Sequence, residues 1–412
     1  MEGNRRVVVT GLGAVTPIGN DVATSWQSMV DGKCGIGPIT SFHNDEIKAT
    51  LAAEVKDFNP RDYMEKSEVL RSDRFCQLAV AAADQAVKES GVIGSLPADR
   101  VAVYFGSGIG GIQTFSSEMK KMESRGPSRV SPFFVPMMIA NMAAGMIAIR
   151  FNCQGAALPA VTACASGSNA IGEALRAIRH GYADAVITGG SEASICEIGI
   201  AGFVNMQALS VSSDPNAASL PFDKRRAGFV IGEGAAALVL EEYEHAKARG
   251  ARIYAELVGY GSSCDAYHIT APRPDADGGR RAMVEAMQEA GYSEADSVYI
   301  NAHGTGTPLN DKGETLAIKG ALGEEAARKA IISSTKSMTG HMLGAAGAIE
   351  AIACIKVLET GIIPPTINLL EPDPECDLNY CPNKAVKADI SLALSNSLGF
   401  GGHNACLAFR RV

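Results

Sequence analysis

The segment Val161-Thr162-Ala163-Cys164-Ala165-Ser166-Gly167-Ser168-Asn169-Ala170 joins a short strand-like run to a strongly helical one. The run before it, residues 156–161, is apolar, and residues 169–180 carry apolar side chains at helical spacing and stop at Gly181. Further along the chain, apolar strand-like runs continue to alternate with helical ones. This alternation is typical of an α/β fold, and we predict one here.

Cys164 lies in the turn of this unit, at or near the helix N-terminus. Unpaired backbone N–H groups and the positive end of the helix dipole favour a thiolate there, and the same donors can hold a developing oxyanion. The neighbouring residues Ala163, Ala165, Ser166 and Gly167 are small and leave room for a substrate. We therefore expect Cys164 to be a nucleophile, the alternative being a small buried apolar residue.

Composition narrows the class of protein. The chain has 412 residues, 46% of them hydrophobic and 20% charged, which is enough for one large or two medium domains. A net charge of -8 argues against general nucleic-acid binding. Residues 1–6 are polar, so no signal peptide is expected, and the longest apolar stretch, 137–149, is too short to span a bilayer. The ten cysteines form no CxxC pair, which predicts neither a disulfide framework nor a structural metal and favours a cytoplasmic location.

The two halves of the chain echo each other in the same order, which indicates an internal duplication. The matching segments are 101–108 with 298–306, 162–179 with 338–358, and 185–190 with 392–402. We predict an N-terminal half, 1–250, that holds Cys164, and a C-terminal half, 251–412. Because no linker rich in Pro or Ser separates them, the halves are expected to pack as one body.

Two of the seven histidines stand beside glycine-rich turns of the second half. His303 follows a strand, where its side chain would emerge at the carboxyl end of the sheet. His341 opens a long apolar helix, whose N-terminus should lower the pKa of the imidazole and keep it neutral. A single histidine in a turn commonly caps a helix or packs in the core. Two in matched turns, with a nucleophile in the twin turn of the other half, indicate an active site.

One motif points to a different class of enzyme. Gly106-Ser107-Gly108-Ile109-Gly110-Gly111 fits the pattern G-x-G-x-x-G, which opens the alternative of a nucleotide-binding oxidoreductase. The segment after it, 113–121, is polar and makes a poor crossover helix, and no strand ending in an acid follows about twenty residues later. The motif is therefore a weak indication.

Four segments together resemble the β-ketoacyl-[acyl carrier protein] synthases, condensing enzymes of the thiolase superfamily. They are the Cys164 turn, residues 303–308, residues 334–341 and residues 396–402. The likeness runs from Arg6 to Arg410 and is greatest to the synthase II branch. The synthase III branch has an Asn in place of one His, and thiolases use a second cysteine. The presence of Cys164 argues against the catalytically silent subunits that only shape a partner's tunnel.

The resemblance implies a thiolase-like fold, in which two duplicated α/β halves pack as a layered αβαβα body. It also implies that acyl carrier protein delivers an acyl group on its phosphopantetheine arm, and that Cys164 takes the group as a thioester. Decarboxylation of malonyl-[acyl carrier protein] then yields an enolate that attacks this thioester, giving 3-oxoacyl-[acyl carrier protein] in fatty-acid elongation. A polyketide-type ketosynthase is the alternative. No cofactor is implied for the chemistry, and a homodimer is implied.

The resemblance further assigns roles to single residues. His303 and His341 would stabilise the enolate, and the backbone N–H groups of Cys164 and Phe400 would hold the oxyanion. Lys336 and Glu350 would form a buried pair that orders the histidines, or an ion pair that serves stability alone. The residues expected to contact the substrate are Ile109, Phe203, Thr270, Thr305, Thr307 and Phe400. Phe400 would also act as a mobile gate to the acyl tunnel. A structural monovalent cation would be held by Asn301, Glu350, Ser395 and Asn396.

Two positions depart from the family pattern. His403 stands behind the gate where the family usually has threonine, and Gln207 replaces a basic residue common near the dock for the carrier protein. The dock is therefore expected to use basic residues elsewhere, namely Arg71, Arg74 and Arg129. The apolar segment 133–138 is either a patch that lines a neighbouring subunit's tunnel or ordinary core.

Overall fold

A computed structural model describes residues 5–412 as an alternation of strands and helices. The strands are β1 (Val7–Val15), β2 (Gly37–Pro38), β3 (Leu51–Ala52), β4 (Val101–Gly106), β5 (Ala157–Ala160), β6 (Ala185–Glu192), β7 (Gly234–Glu242), β8 (Ala255–Cys264), β9 (Val298–Asn301), β10 (Ile331–Ser333), β11 (Ile362–Ile363), β12 (Val386–Lys387), β13 (Leu392–Gly399) and β14 (His403–Arg410). The α-helices are α1 (Val22–Val30), α2 (Lys66–Val69), α3 (Arg74–Ser90), α4 (Ile112–Arg125), α5 (Phe134–Met138), α6 (Met142–Phe151), α7 (Ser166–Arg179), α8 (Glu197–Asn205), α9 (Tyr243–Ala248), α10 (Asp277–Glu289), α11 (Pro308–Leu322), α12 (Glu324–Lys329), α13 (Lys336–Thr339) and α14 (Ala346–Thr360). Short 3₁₀ turns precede α7 and α14. The α/β prediction is confirmed.

A mixed sheet of ten strands forms the centre, in the order β10-β9-β13-β14-β8-β1-β7-β6-β4-β5. Its two halves have the same topology. In the first, β4 is parallel to β5 and β6, and β7 is antiparallel to β6 and β1. In the second, β9 is parallel to β10 and β13, and β14 is antiparallel to β13 and β8. Only a short pairing of β1 with β8 joins them, so the sheet is one motif used twice.

Matched glycines bring a helix close to the first strand of each half. A Cβ added to Gly13 in β1 would lie 1.9 Å from the carbonyl oxygen of Ala82 in α3. A Cβ added to Gly261 in β8 would lie 1.9 Å from the carbonyl oxygen of Ala282 in α10. Because no larger residue fits at either place, the same close packing of helix on strand is built into both halves.

Helices α7 and α14 pack against each other and against strands of both halves, whereas α3 and α10 cover the outer faces. The two halves of the sheet thus enclose α7 and α14, in the layered αβαβα arrangement that the resemblance implies. Helix α14 is buried along most of its length, which explains its near-continuous apolar sequence. The predicted boundary at residue 250 lies between α9 and β8. Within residues 5–412, no helix is both long and apolar enough to cross a membrane.

Candidate active site

Cys164 lies in the 3₁₀ turn that connects β5 to α7. The turn is held by Ser166, whose hydroxyl accepts a hydrogen bond from the Thr162 N–H at 2.9 Å and donates one to the Ala163 carbonyl at 2.6 Å. Ala163 has a positive φ of 50°, and Leu343, at the matching position before α14, has a φ of 45°. Such strained backbone in a non-glycine residue is typical of functional turns. The structure thus places Cys164 in a strand-to-helix turn, as predicted, and shows in addition that the turn is strained at Ala163.

His303 and His341 come from the second half and meet Cys164. The sulfur and one nitrogen of each imidazole all lie within 4.8 Å of one another. The imidazole rings are 5.2 Å apart between centroids and nearly perpendicular, at 85°. All three residues are buried. The structure therefore brings together the three residues that the sequence singled out.

The protonation states of this triad follow from burial. Burial lowers the pKa of His303 and of His341 well below the usual range, and the charge of Lys336 lowers both further. The lowered pKa predicted for His341 is confirmed, although burial and not the helix N-terminus is its main cause. Burial raises the pKa of the Cys164 thiol to about 12, outweighing the opposing effects of Lys336 and of the Phe400 and Cys164 backbone amides. The backbone N–H groups thus favour the thiolate, as predicted, but desolvation is the larger effect and keeps Cys164 a thiol.

Backbone contacts fix both histidines. The His303 N–H and the Gly304 N–H each donate to the Glu314 carboxylate at 2.7 Å. The His341 N–H donates to the Val230 carbonyl at 2.7 Å, and its ring packs edge-on against Phe229, 5.2 Å between centroids. Both ring nitrogens of His341 and Nδ1 of His303 have no hydrogen-bond partner in the protein. The imidazoles are thus held by their backbone and neighbours while their nitrogens stay available to a substrate.

Lys336 and Glu350 form the buried ion pair that the resemblance implies. Lys336 Nζ contacts Glu350 Oε1, and both side chains are 1% exposed. Burial raises the pKa of Glu350, and the charge of Lys336 opposes this. Because Lys336 is positively charged and lies near both imidazoles, it helps to keep them neutral.

A cavity of about 510 Å³ opens onto the triad, and its lining is mainly apolar. Among the residues with predicted roles, it is lined by Ile109, Cys164, Phe203, Gln207, Thr270, His303, Thr305, Thr307, His341 and Phe400. The Thr305 and Thr307 hydroxyls are 3.0 Å apart. Phe400 packs against Phe203 with 6.5 Å between centroids, in a turn where Gly401 and Gly402 have φ of 84° and 76°. The His403 ring lies behind this turn, because a Cβ on Gly401 would lie 3.1 Å from it.

Four oxygen atoms at the predicted cation position share an unusual property. Asn301 Oδ1, Glu350 Oε2, Ser395 Oγ and Asn396 Oδ1 are all buried and have no hydrogen-bond partner. Asn301 and Ser395 are register partners on the parallel strands β9 and β13. Buried polar atoms nearly always have a partner, so four such oxygens from neighbouring elements need an explanation.

The basic residues predicted to form a dock differ in availability. Arg74 makes a two-point pair with the buried Glu233, at 2.8 and 2.7 Å, and is therefore removed from the dock. Arg71 is exposed and stacks over the Phe133 ring at 4.7 Å. Arg129 is exposed and forms no ion pair with any residue in 5–412.

The glycine motif has a structural use that excludes the nucleotide reading. The N–H groups of Gly108 and Ile109, which would hold a pyrophosphate, donate to the Glu192 carboxylate at 2.8 and 3.3 Å. A Cβ on Gly106 would lie 2.4 Å from the Ser166 carbonyl oxygen, so this glycine serves close packing against the Cys164 turn. The motif is therefore part of the wall behind the nucleophile.

Sequence reasoning missed two buried carboxylates, Glu192 and Glu314. Burial raises the pKa of each to about 7. Both hold turns of the site: Glu314 receives the His303 and Gly304 N–H groups, and Glu192 receives those of Gly108 and Gly344. Two features of the sequence could have indicated them. Glu192 ends a strand that is otherwise uncharged, residues 185–192, and Glu314 lies within two turns of the start of α11.

Comparison with known proteins agrees with this geometry. Residues 4–246 match the family described as "Beta-ketoacyl synthase, N-terminal domain", and residues 254–370 match "Beta-ketoacyl synthase, C-terminal domain". The chain is 52% identical over 409 residues, 99% of its length and 98% of the relative's, to "3-oxoacyl-[acyl-carrier-protein] synthase 2" of Synechocystis sp.. It is also 52% identical over 412 residues, 100% and 99% of the two lengths, to the protein of that name from Staphylococcus aureus.

Solved structures give the same picture. "The ishigamide ketosynthase/chain length factor" superposes with a TM-score of 0.92 at 38% identity, covering 100% of both chains. A "type II PKS acyl-carrier protein in complex with its ketosynthase bound to the hexaketide" superposes with a TM-score of 0.92 at 35% identity, also covering 100% of both chains. A β-ketoacyl synthase from Burkholderia phymatum gives 0.91 at 35% identity, covering 99% of this chain and 100% of that one.

Proposed function

The chain belongs to the β-ketoacyl synthase family, and we propose on that basis that it lengthens acyl chains in fatty-acid synthesis. The reaction is a decarboxylative Claisen condensation of malonyl-[acyl carrier protein] with an acyl group held as a thioester on Cys164, which gives 3-oxoacyl-[acyl carrier protein]. The observation that carries the proposal is the meeting of Cys164, His303 and His341, within 4.8 Å of one another, at an apolar cavity.

Acyl transfer needs a proton path, because the resting thiol is neutral. As Cys164 Sγ bonds to the thioester carbon, its proton passes to one of the two neutral imidazoles and from there to the departing phosphopantetheine sulfur. The backbone N–H groups of Cys164 and Phe400 both act on the sulfur in the direction that lowers its pKa. The same two donors are suited to stabilise the oxyanion of the tetrahedral intermediate.

Condensation uses the histidines as neutral donors. The bond between the malonyl C2 and its carboxylate breaks, CO₂ leaves, and the electron pair moves into an enolate whose oxygen is stabilised by N–H groups of His303 and His341. The enolate carbon then attacks the acyl thioester and the C–S bond breaks, so that Cys164 leaves as a thiolate. This thiolate takes up one proton from solvent, which is the proton that the overall condensation consumes. Lys336 and Glu350 are positioning residues in this scheme, since they touch the histidines' surroundings and not the substrate.

The chemistry so described uses no cofactor, but the four unpartnered oxygens fit a bound ion. Oxygen donors from a carboxylate, two amides and a hydroxyl are the ligands that hard cations prefer. We propose that Asn301, Glu350, Ser395 and Asn396 hold a monovalent cation. The cation would give the free oxygen of Glu350 a partner, and its ligands would tie β9 and β13 to α14 behind the histidines.

Acyl carrier protein is the proposed partner, and Arg71 and Arg129 are its proposed contacts. Because such carriers are acidic and this chain is also acidic overall, with a net charge of -8, a local basic surface is needed for fast encounter. Thr270, Thr305 and Thr307 line the cavity and are the proposed contacts of the phosphopantetheine arm.

We propose that the protein forms a homodimer through the exposed edge of the central sheet. Strand β5 is the outermost strand, and three of its four residues are exposed, including Leu158 at 51%. An exposed apolar edge strand can pair with another strand, and a second copy of β5 would extend the sheet across a two-fold axis, although Pro159 supplies no N–H to that pairing. A cytoplasmic location stays a prediction from the cysteine pattern.

The decisive experiment is condensation of malonyl-[acyl carrier protein] with acyl carrier proteins bearing chains of about six to sixteen carbons, a range that an apolar cavity can bury. We expect turnover with fatty acyl donors and none for Cys164→Ala. The absence of condensation with every acyl donor would refute the proposal. Polyketide-type condensation is the second candidate, because one of the solved relatives is the ketosynthase of a type II PKS. Turnover with a poly-β-ketone donor and not with saturated donors would favour it.

A further inference from the structure

Glu192, the last residue of β6, is buried without a counter-ion. Its side chain is 0% exposed, and it forms no ion pair with any residue in 5–412. Oε2 accepts hydrogen bonds from the Gly108 N–H at 2.8 Å and the Gly344 N–H at 3.0 Å. Oε1 accepts from the Ile109 N–H, the Ser107 hydroxyl and the Ser194 hydroxyl, each at 3.3 Å. Five donors directed at one buried carboxylate offset part of its desolvation, and burial still raises its pKa to about 7.

These donors belong to turns from both halves of the molecule. Gly108 and Ile109 lie in the turn after β4, and Gly344 lies in the turn just after His341. Gly108, Ile109 and Leu343 all line the cavity. A Cβ on either Gly108 or Gly344 would lie 2.8 Å from Glu192 Oε2, so the contact requires glycine on both sides. Glu192 therefore joins the two turns directly behind the cavity wall.

We infer that Glu192 is a positioning residue that fixes the cavity wall at Ile109 and thereby controls how strictly the enzyme selects acyl chains by length. The inference rests on the proposed function, since it concerns the acyl chain held by Cys164. Ile109 projects into the cavity from a turn whose backbone is anchored by the carboxylate. If that anchor is lost, the wall can shift, and donors of different length are distinguished less.

The substitution Glu192→Gln distinguishes the roles of the two carboxylate oxygens, because it replaces only one of them with a group that cannot accept a hydrogen bond. The carbonyl of the glutamine can replace Oε2 and still accept from Gly108 and Gly344. Its NH₂ group then replaces Oε1, where the hydroxyls of Ser107 and Ser194 can rotate to accept, but the Ile109 N–H cannot. The opposite orientation would face the NH₂ with two backbone donors and is disfavoured. Glu192→Gln should therefore release Ile109 selectively and leave the turn beside His341 anchored.

The test compares donors of about six and sixteen carbons with Glu192→Gln and with Ser194→Ala, the matched control that removes one hydroxyl donor and no backbone anchor. The readout is the ratio of kcat/KM for the preferred donor to kcat/KM for the other donor. For Glu192→Gln we expect this ratio to fall about tenfold, toward one, because about tenfold is the effect of losing one hydrogen bond to a charged group. The ratio is used because a general loss of activity lowers kcat/KM for both donors alike and leaves the ratio unchanged. Ser194→Ala should keep the wild-type ratio.

A double-mutant cycle with Ile109→Ala decides whether the effect runs through Ile109. In that background, Glu192→Gln should no longer change the ratio. An equal loss for both donors, an unchanged ratio, or an effect that persists with Ile109→Ala would overturn the inference. Glu192→Asp, too short to reach all three N–H groups, enters the same cycle if the glutamine variant does not fold. Failure of the wild-type enzyme with every donor would refute the proposed function instead.

Discussion

The thiol of Cys164 allows a sharp test of the electrostatics. Burial raises its pKa from 9.0 to about 12, against the opposing effects of Lys336 and the backbone amides of Cys164 and Phe400. Three pKa units correspond to about 4 kcal/mol. At pH 8 the thiolate fraction would be about one in ten thousand, compared with about one in ten for a thiol of pKa 9. The resting enzyme should therefore react slowly with reagents that need a thiolate.

The assay is alkylation of Cys164 by iodoacetamide, followed by peptide mass spectrometry from pH 6 to pH 10. We expect the rate to rise about tenfold for each pH unit over the whole range, because the thiolate fraction does so until the pKa is reached. Above pH 7, where the Glu192 carboxylate is charged, Glu192→Gln should raise the rate by removing a nearby negative charge. Lys336→Met should lower the rate by removing a positive charge. The exposed Cys264 is the internal reference for reagent and pH.

A rate that levels off near pH 8 would refute the reasoning, since it would show that the helix N-terminus outweighs burial. Equal responses of Cys164 and Cys264 would refute it as well. Opposite shifts in the two charge variants, at constant Cys264 reactivity, cannot arise from a general loss of structure. The slope of the rate against pH, which a change in access does not alter, separates the electrostatic explanation from simple changes in access.

Three further predictions follow from the contacts. Glu350→Gln should lower the free energy of unfolding by about 3–5 kcal/mol, because it leaves the Lys336 ammonium buried without its partner. The double variant Lys336→Met/Glu350→Gln, which keeps an oxygen toward the proposed cation, should be closer to wild type in urea unfolding, and an additive double loss would contradict this. Arg129→Glu should raise the KM for acyl carrier protein several-fold at low salt and less at high salt, and unchanged low-salt kinetics would count against the dock. Leu158→Asp should convert a dimer to a monomer in light scattering at equal concentration, and a wild-type monomer would contradict the proposed interface.

Local patterns predicted the parts of the site that depend on local structure. The strand-turn-helix unit at Cys164 and the glycine turns around His303 and His341 are each determined by residues that are close together in the sequence. The matched segments indicated the duplication. Long-range packing decided the rest. Arg74 was expected on a docking surface, but its partner Glu233 is 159 positions away in sequence. The sign of the Cys164 pKa shift also depends on burial by both halves, which no single segment reveals.

The burial of two acidic residues, Glu192 and Glu314, also could not be predicted from the sequence. Glu192 and Glu314 bind backbone N–H groups and not basic side chains, so no complementary residue marks them. A glutamate in a strand or a helix is ordinarily read as a solvent-facing residue. Here each is buried because a glycine-containing turn supplies donors at close range. Only the assembled structure shows that these turns point their N–H groups inward.

The distribution of charge around the triad favours the condensation itself. Cys164, His303 and His341 are neutral, and the charges of Lys336 and Glu350 oppose each other in one pair. A malonyl carboxylate that enters this apolar cavity would exchange water for a lining that includes Phe203, Phe229 and Leu343. The enolate oxygen that replaces its charge meets imidazole N–H donors instead. A site that offers little to the carboxylate and two fixed donors to the enolate stabilises the product of CO₂ loss relative to the substrate, which is the direction that catalysis requires.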